Sequence, residues 1–399
     1  MSPDEAPAPP ADGEEPDVLH GTGLATNRYP LRFGGRTGEF TKIWLSNTAL
    51  SVITVGIYSA WAKVRIRRYL MGNTELAGSN FDYHANPVSI LISRMVIIGA
   101  LILIETFLTT FEVTLENYYT LVLALLIPPL VARGLSFNAR YSSYRTVRFR
   151  FDRRLAEAYV VFSPVFVLLS LVLYVGFVLE ETTWSIGFPL DEILIVLPPF
   201  SRAITVAGVL FLALLTPYYV WRYHRYKVSN HSFGDLKLGF DARIMPYYIA
   251  VIAIPLCGIC ISVFAVWGLA ALSHHDELGI IIAPVGGGLG ILYTIFLLRS
   301  ALSKLMLNGI RFENGRMRCG YGIFAYAWVM TYTFLLTVLS AWMLRPWAII
   351  VRTRKLVGSL SAVTLGDHTL DSVIGARGQD ETAIGDAGLD TFDFDLGII

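Results

Sequence analysis

Five groups of residues have types and spacings that could do chemistry. Cys257-Gly258-Ile259-Cys260 has the spacing of a dithiol redox pair. A redox cysteine needs nearby positive charge to stabilise its thiolate, and this pair lies in an apolar run beside Pro255 with no basic neighbour. The expectation is therefore helix packing by small residues. His274-His275-Asp276-Glu277 bunches four potential metal ligands, but adjacent residues rarely aim at one ion and no partner spacing accompanies them. A polar turn without metal is expected. Glu105 lies inside an apolar run, where a carboxylate is costly enough to mark a polar site; the competing reading is a residue that faces other helices or snorkels outward. Pro284, Gly286, Gly287 and Gly288 interrupt another run. Such a break either unwinds to expose backbone at a binding site or lets helices approach closely. It is not a phosphate loop, because no Gly-Lys-Ser/Thr follows.

The fifth group is basic. Arg65, Arg68, Tyr69 and Asn73 recur without a gap as Arg222, Arg225, Tyr226 and Asn230. At i, i+3 and i+4 spacing the two arginines and the tyrosine share one helix face. At the end of a membrane span they can satisfy terminal carbonyls, favour the helix dipole and reach lipid phosphates. Arg65, Arg68, Tyr69, Arg222, Arg225 and Tyr226 are thus candidate contacts for lipid head groups, and Arg94 reads as an interfacial anchor. No Ser-Lys, His-Glu or paired-Asp constellation accompanies any group. Neither an enzyme nor a cofactor is expected.

The elements that must position these residues are apolar. The chain is 54% hydrophobic and only 16% charged, with mean hydropathy +0.55, whereas soluble domains carry about 25% charged residues. A net charge of +1 provides no bulk attraction for nucleic acid. Runs of roughly 18 or more apolar residues read as membrane spans. Eight are expected, at about 40–60, 88–109, 117–133, 158–179, 203–221, 246–272, 279–298 and 323–345, the first diluted by Ser and Thr. The acidic, Pro-rich N-terminus does not read as a signal peptide. No Lys or Arg lies between Arg94 and Arg133, Arg154 and Arg202, or Arg243 and Arg299. The basic connections 61–87, 134–157, 222–245 and 299–322 therefore face the cytoplasm.

Each basic connection ends in an alternating segment. Thr74-Glu75-Leu76 and Phe81-Asp82-Tyr83 read as two short strands, and Phe81 and Tyr83 align with Leu238 and Phe240. Segments 137–151 and 307–319 follow the same plan, with Asn314-Gly315 as a strong hairpin turn and Arg145-Thr146 as a weak one. Isolated hairpins are marginal in water, so four on one face are expected to pair into a cytoplasmic β layer. Residues 1–38 and 346–399 read as largely disordered acidic tails around a membrane domain at 39–345.

FTKIWLSNTALSVITVGIYSAWAKVRIRRYL, NTELAGSNFDY, SNHSFGDLKLGFD and NGRMRC resemble the YjgN family of bacterial inner-membrane proteins, from about Phe33 to Asp367. The resemblance implies a bacterial cytoplasmic-membrane address and little chemistry. The fold expected is an all-α polytopic protein of about eight spans with four repeated cytoplasmic β-hairpins. The function expected is a platform that contacts lipid, with anionic lipids as partners and no nucleic acid. The alternative is a transporter or channel for a small solute or ion.

Overall fold

The computed structural model describes residues 26–110, 116–145, 147–183, 199–234, 236–272, 277–313 and 315–365. Four helices are each followed at once by a tight hairpin. α2 (Ser59–Gly72) leads to β2 (Thr74–Leu76) and β3 (Ser79–Tyr83), and α4 (Glu116–Arg140) to β4 (Ser142–Tyr144) and β5 (Val147–Phe151). α6 (Pro199–Ser229) leads to β6 (His231–Phe233), β7 (Leu236–Lys237) and β8 (Gly239–Phe240); α8 (Glu277–Asn308) leads to β9 (Ile310–Phe312) and β10 (Gly315–Cys319).

The hairpins share one register. Leu76 pairs Ser79, Tyr144 pairs Val147, Phe233 pairs Leu236 and Phe312 pairs Gly315. Each turn therefore has two residues. Turns of this length favour positive φ, observed at Ala77 (+47°), Gly78 (+77°), Arg145 (+48°) and Gly234 (+56°). The turn at Arg145, weak by composition, forms all the same.

A fifth strand pair comes from segments far apart in the chain. β1 (Thr26–Phe33) pairs antiparallel with β11 (Leu360–Leu365), Thr26 opposite Leu365 and Pro30 opposite Ser361. The tails expected at 1–38 and 346–399 are thereby corrected: both contain strand, and the second also contains helix. Their alternating residues gain ladder partners that composition does not reveal.

The sheet order is β7-β6-β5-β4-β3-β2-β1-β11-β10-β9-β8. Its two ends, β7 and β8, are separated only by Leu238, whose N–H donates to the His231 carbonyl at 3.0 Å. The sheet is a closed ring. Where one unit meets the next, the residue after the outgoing strand donates to the carbonyl of the residue just before the incoming strand. These bonds are Gly34 to Asn73, His84 to Tyr141, Asp152 to Asn230, Asp241 to Gly309 and Gly320 to Ser359, all at 2.8–2.9 Å. Among the described residues, the segment made of β7 and β8 thus has β6 on one side and β9 on the other, which leaves little open edge.

Apolar side chains line the inner face of the ring. Tyr144 and Phe233 lie 6.1 Å apart with β5 between them, and the Tyr144 hydroxyl reaches past β3 to the Leu76 carbonyl at 2.5 Å. Strands two apart are separated by about 9.6 Å, so these side chains converge. Leu31, Cys319 and Leu360 extend this core to Tyr326, Met330 and Val357 on the helices above.

The helices rise from the ring in pairs. α3 (Pro87–Thr110), α5 (Leu155–Thr183) and α7 (Met245–Tyr248, a π-helical turn Ile249–Ala253, then Ile254–Leu272) are the long partners of α4, α6 and α8. Among the described residues, five helices are long and apolar enough to cross a membrane, within α3, α5, α6, α7 and α8.

The other two pairs are short. α1 (Thr37–Ile53, 17 residues) joins the 14-residue α2, and α9 (Ile323–Leu339, 17 residues) joins α10 (Arg345–Val357, 13 residues). At 1.5 Å per residue none exceeds about 26 Å, less than the roughly 30 Å of a hydrocarbon core. The expected eight spans are not confirmed: the first run is α1 plus a reversal, and the eighth is α9 plus a reversal. The two reversals share a hydrogen-bond pattern. Thr54, Gly56 and Ser59 N–H bond to Leu50, Ser51 and Gly56 carbonyls, as Ser340, Trp342 and Arg345 do to Leu336, Thr337 and Trp342.

Candidate functional site

The recurrent basic turn is first a structural device. Asn73 and Asn230 side chains donate to the carbonyls of Tyr69 and Tyr226 at 2.7 and 2.9 Å, closing the ends of α2 and α6. Arg65 donates to the Asn47 Oδ1 at 3.0 Å and the Tyr58 hydroxyl at 3.1 Å. Arg68 donates to the Tyr83 carbonyl at 3.2 Å. The Tyr69 hydroxyl accepts from the Arg36 N–H at 2.8 Å, which ties α2 to the start of α1. Arg222 meets the Tyr218 hydroxyl at 2.7 Å, and Arg225 stacks over Trp221 at 5.4 Å. Tyr226 is wholly buried, edge-on to Phe151 at 5.6 Å. The expectation of a lipid contact at Tyr226 is therefore corrected: helical spacing gives its neighbours but not the face it presents.

The outer face of the ring is basic. Exposure alternates along β3 and β5, so Asn80, Asp82, Arg148 and Arg150 point outward. Arg32, Lys237 and Arg311 are exposed in the same way on other strands. Arg311 is ion-paired with Asp241, and Arg28 donates to Ser361 at 3.2 Å. The result is a cationic belt around the base of the helices.

Above the ring, α1, α2, α4, α6 and α10 line a half-open cavity of about 790 Å³. It runs from the first reversal, at Ser51, Val52 and Ser59, to the ring, at Met71, Ser142 and His231. Lys63, Arg67, Lys227 and Arg345 line it with Asn47, Asn138 and Tyr223, and no carboxylate is among its lining residues. Arg67 bonds the Asn138 side chain and, at 3.2 Å, the Tyr83 hydroxyl. His231 bonds the Lys227 carbonyl through Nδ1; a carbonyl only accepts, so Nδ1 carries the proton. Burial lowers the His231 pKa from its ordinary value, and the Lys227 charge adds to that, against the carbonyl bond. The ring is thus neutral at pH 7.

A second cavity of about 460 Å³ lies between α2, α8, α9 and α10 and shares Leu70, Met71, Arg345 and Ile349 with the first. Its lining is more apolar, with Met306, Leu307, Met330, Phe334 and Leu356, and its charged residues are Arg299, Arg345 and Arg352. Arg352 donates to the Thr333 hydroxyl at 2.6 Å and the Met330 carbonyl at 3.0 Å.

Residues 28–391 match the model of a family described as bacterial protein of unknown function, DUF898. The chain belongs to this family. It is 31% identical to the inner membrane protein YjgN of Salmonella typhimurium over 166 residues, 40% of this chain and 41% of that protein. It is also 31% identical to YjgN of Escherichia coli O157:H7 over 135 residues, 34% of this chain and 30% of that protein. The matched stretch spans less than half the length of these relatives. No solved structure matches. With its apolar helices and these relatives, the chain is a multi-pass inner-membrane protein of the YjgN family.

In this family member the remaining sequence candidates separate. α8 is helical through Pro284, Gly286, Gly287 and Gly288, so of the two readings the unwound break gives way to close helix packing. Glycine serves close packing of α7 on α8. A Cβ at Gly258 would lie 2.1 Å from the Thr294 hydroxyl, one at Gly287 2.7 Å from Val266, and one at Gly290 2.6 Å from the Ser262 hydroxyl. Cys257 and Cys260 are free and exposed on α7; only Gly258 between them packs. Glu105 lies within α3, its side chain outside the described residues, and His274 to Asp276 also fall outside them. Arg94 donates to the Ser59 hydroxyl at 2.6 Å, so it holds the tip of α2. The chamber itself was missed. Its cations stand on α2, α6 and α10, whose convergence no local spacing announces.

Proposed function

We propose that this protein is a non-catalytic, lipid-contacting platform of the inner membrane, its ring and cationic belt on the cytoplasmic side. The observation that carries this reading is the row of outward-facing cations Arg32, Arg148, Arg150 and Lys237 at the base of the helices. Near an anionic surface each cation contributes about 1 kcal/mol. Basic residues on the ring side also orient it inward. The topology that fits has six full spans, α3 to α8, and two helical hairpins, α1–α2 and α9–α10, that dip in and return. Five units of helix, strand pair and helix then stand around one axis, the fifth assembled from β11 and β1. The apolar inner face of the ring disfavours solute passage along that axis. Anionic lipid is the expected partner.

The test is lipid selection in nanodiscs made from mixed phosphatidylglycerol and phosphatidylcholine. The protein is expected to enrich phosphatidylglycerol in a salt-sensitive way. Arg32→Gln/Arg148→Gln/Arg150→Gln/Lys237→Gln is expected to return the ratio to that of the bulk mixture. Unchanged enrichment in that variant would sink the platform reading.

A further inference from the structure

Charge is divided unevenly along this chain. Segments 1–25 and 366–399 hold 14 of the 31 Asp and Glu but only one of the 32 Lys and Arg, Arg377. The strands and turns of the ring hold the reverse, nine Lys and Arg against four Asp and Glu. The ladder gathers part of that excess into one row. Arg28 on β1 and Arg316 on β10 both lie opposite Val363 of β11, and Arg311 on β9 lies opposite Arg316. Cross-strand partners share a face, so three guanidinium groups stand in line across four strands. Asp241 pairs with Arg311, and Glu75 lies opposite Arg32; the ring as a whole stays positive. Like charges side by side on a sheet destabilise it, and the field they make attracts an anion.

The same ladder brings one anion close. Residues 366 onward continue from β11, which lies between the strands that carry Arg28 and Arg316. Within 380–395, Asp380, Glu381, Asp386, Asp390, Asp393 and Asp395 are accompanied by no Lys or Arg. Phe392, Phe394 and Leu396 alternate with Asp393 and Asp395, a pattern that suits a place between cations and a membrane. The 15 residues from Leu365 to Asp380 span up to about 50 Å when extended. A ring of this size is roughly 20 Å across, so the segment reaches every part of the outer face. Tethering also raises its local concentration to about the millimolar range. We propose that the acidic segment 380–395 docks on the outer face of the ring around Arg28, Arg311 and Arg316, and competes there with anionic lipid. The docking stands by itself, whereas the competition rests on the platform reading.

The experiment places a nitroxide at Thr391→Cys in the full chain without its native cysteines. In an uncharged detergent free of lipid, the electron paramagnetic resonance spectrum is expected to report restricted motion. About 1 M salt, where the screening length is about 3 Å, is expected to release it. So is Asp380→Asn/Glu381→Gln/Asp390→Asn/Asp393→Asn/Asp395→Asn, and so is Arg28→Gln/Arg316→Gln. Where the arginine variant proves unstable, the acidic-segment variant leaves every strand intact and carries the test. A spectrum unchanged by salt and by the acidic-segment variant would overturn the docking. Restriction that grows with protein concentration would also overturn it, by moving the partner to a second copy. In nanodiscs of mixed phosphatidylglycerol and phosphatidylcholine, the acidic-segment variant is expected to enrich phosphatidylglycerol at least twofold more than the parent chain. Equal enrichment would overturn the competition. Salt-sensitive restriction in detergent, with no enrichment by either chain, would support the docking and sink the platform reading alone.

Discussion

Short and long helix pairs stand on the same ring and solve different problems. α7 and α8 belong to the long kind, and their contact is made by glycines: Gly258 against Thr294, Gly287 against Val266 and Gly290 against Ser262. With no hydrophobic force between helices in lipid, such close approach is the main source of cohesion. α1–α2 and α9–α10 are of the short kind. They contribute Asn47, Lys63, Arg67 and Arg345 to a polar interior, while their tips expose Val52, Ile53 and Val55 or Leu339, Trp342 and Met343. A helix that ends part-way through the bilayer can bring charge to a chamber that a full span would seal. The reversal is what permits it: Val55 and Gly56 at φ +50° and +88°, and Ala341 and Trp342 at +47° and +68°, turn the chain back within five residues.

The sharpest way to break this contrast is topological. In a background without cysteine, Glu116→Cys, at the far end of a long pair, is expected to react with a membrane-impermeant thiol reagent added to intact spheroplasts. Val55→Cys and Ala341→Cys, at the tips of the short pairs, are expected not to react. Labelling of either tip from outside would make the short pairs full crossings. The next largest effect falls on the glycine seam. Gly258→Ala puts a methyl group against the stiff Thr294 side chain and is expected to cost about 2 kcal/mol, read as a lower unfolding midpoint in detergent.

A smaller effect separates the ring ends of a short and a long pair. Asn230 is buried whereas Asn73 is half-buried. Asn230→Ala is expected to cost about 1.5 kcal/mol and Asn73→Ala about 0.5 kcal/mol, by denaturant titration. The smallest effect is in pH. The folded-state pKa of His231 is lowered, mainly by burial, so the unfolded chain takes up the proton first. Stability is expected to decline as pH falls below about 6.5. The decline between pH 7 and 5.5 should be shallower in His231→Gln, measured by unfolding midpoint.

Some of this architecture is legible in the sequence. Thr74 to Leu76 and Phe81 to Tyr83 have strand alternation and lie within β2 and β3. Five of the expected apolar runs lie in helices that can cross a membrane. The short pairs mislead because their reversals are themselves apolar: Val55-Gly56-Ile57 and Ala341-Trp342-Met343-Leu344 extend a hydrophobic run across a turn. Ring closure is hidden for a different reason. TNRYPLRF and LSAVTL have strand character, but each borders an acidic segment, and the pairing that joins them links segments far apart in the chain. The chamber is least legible, since Lys63 and Arg67 on a helix end read as interfacial until α4, α6 and α10 are placed around them.

Pairing β1 with β11 also fixes an order of events. Thr26 leaves the ribosome 339 residues before its partner Leu365, which at 5–20 residues per second is a delay of about 17–70 s. Through that interval one edge of β1 can pair with β2 while the other has no ladder partner, a template for unwanted strand addition. The first hairpin, α1–α2, must therefore insert and wait. Truncation before Leu360 would leave five helix pairs inserted beneath a broken ring, a state that quality-control proteases can recognise by its open edge.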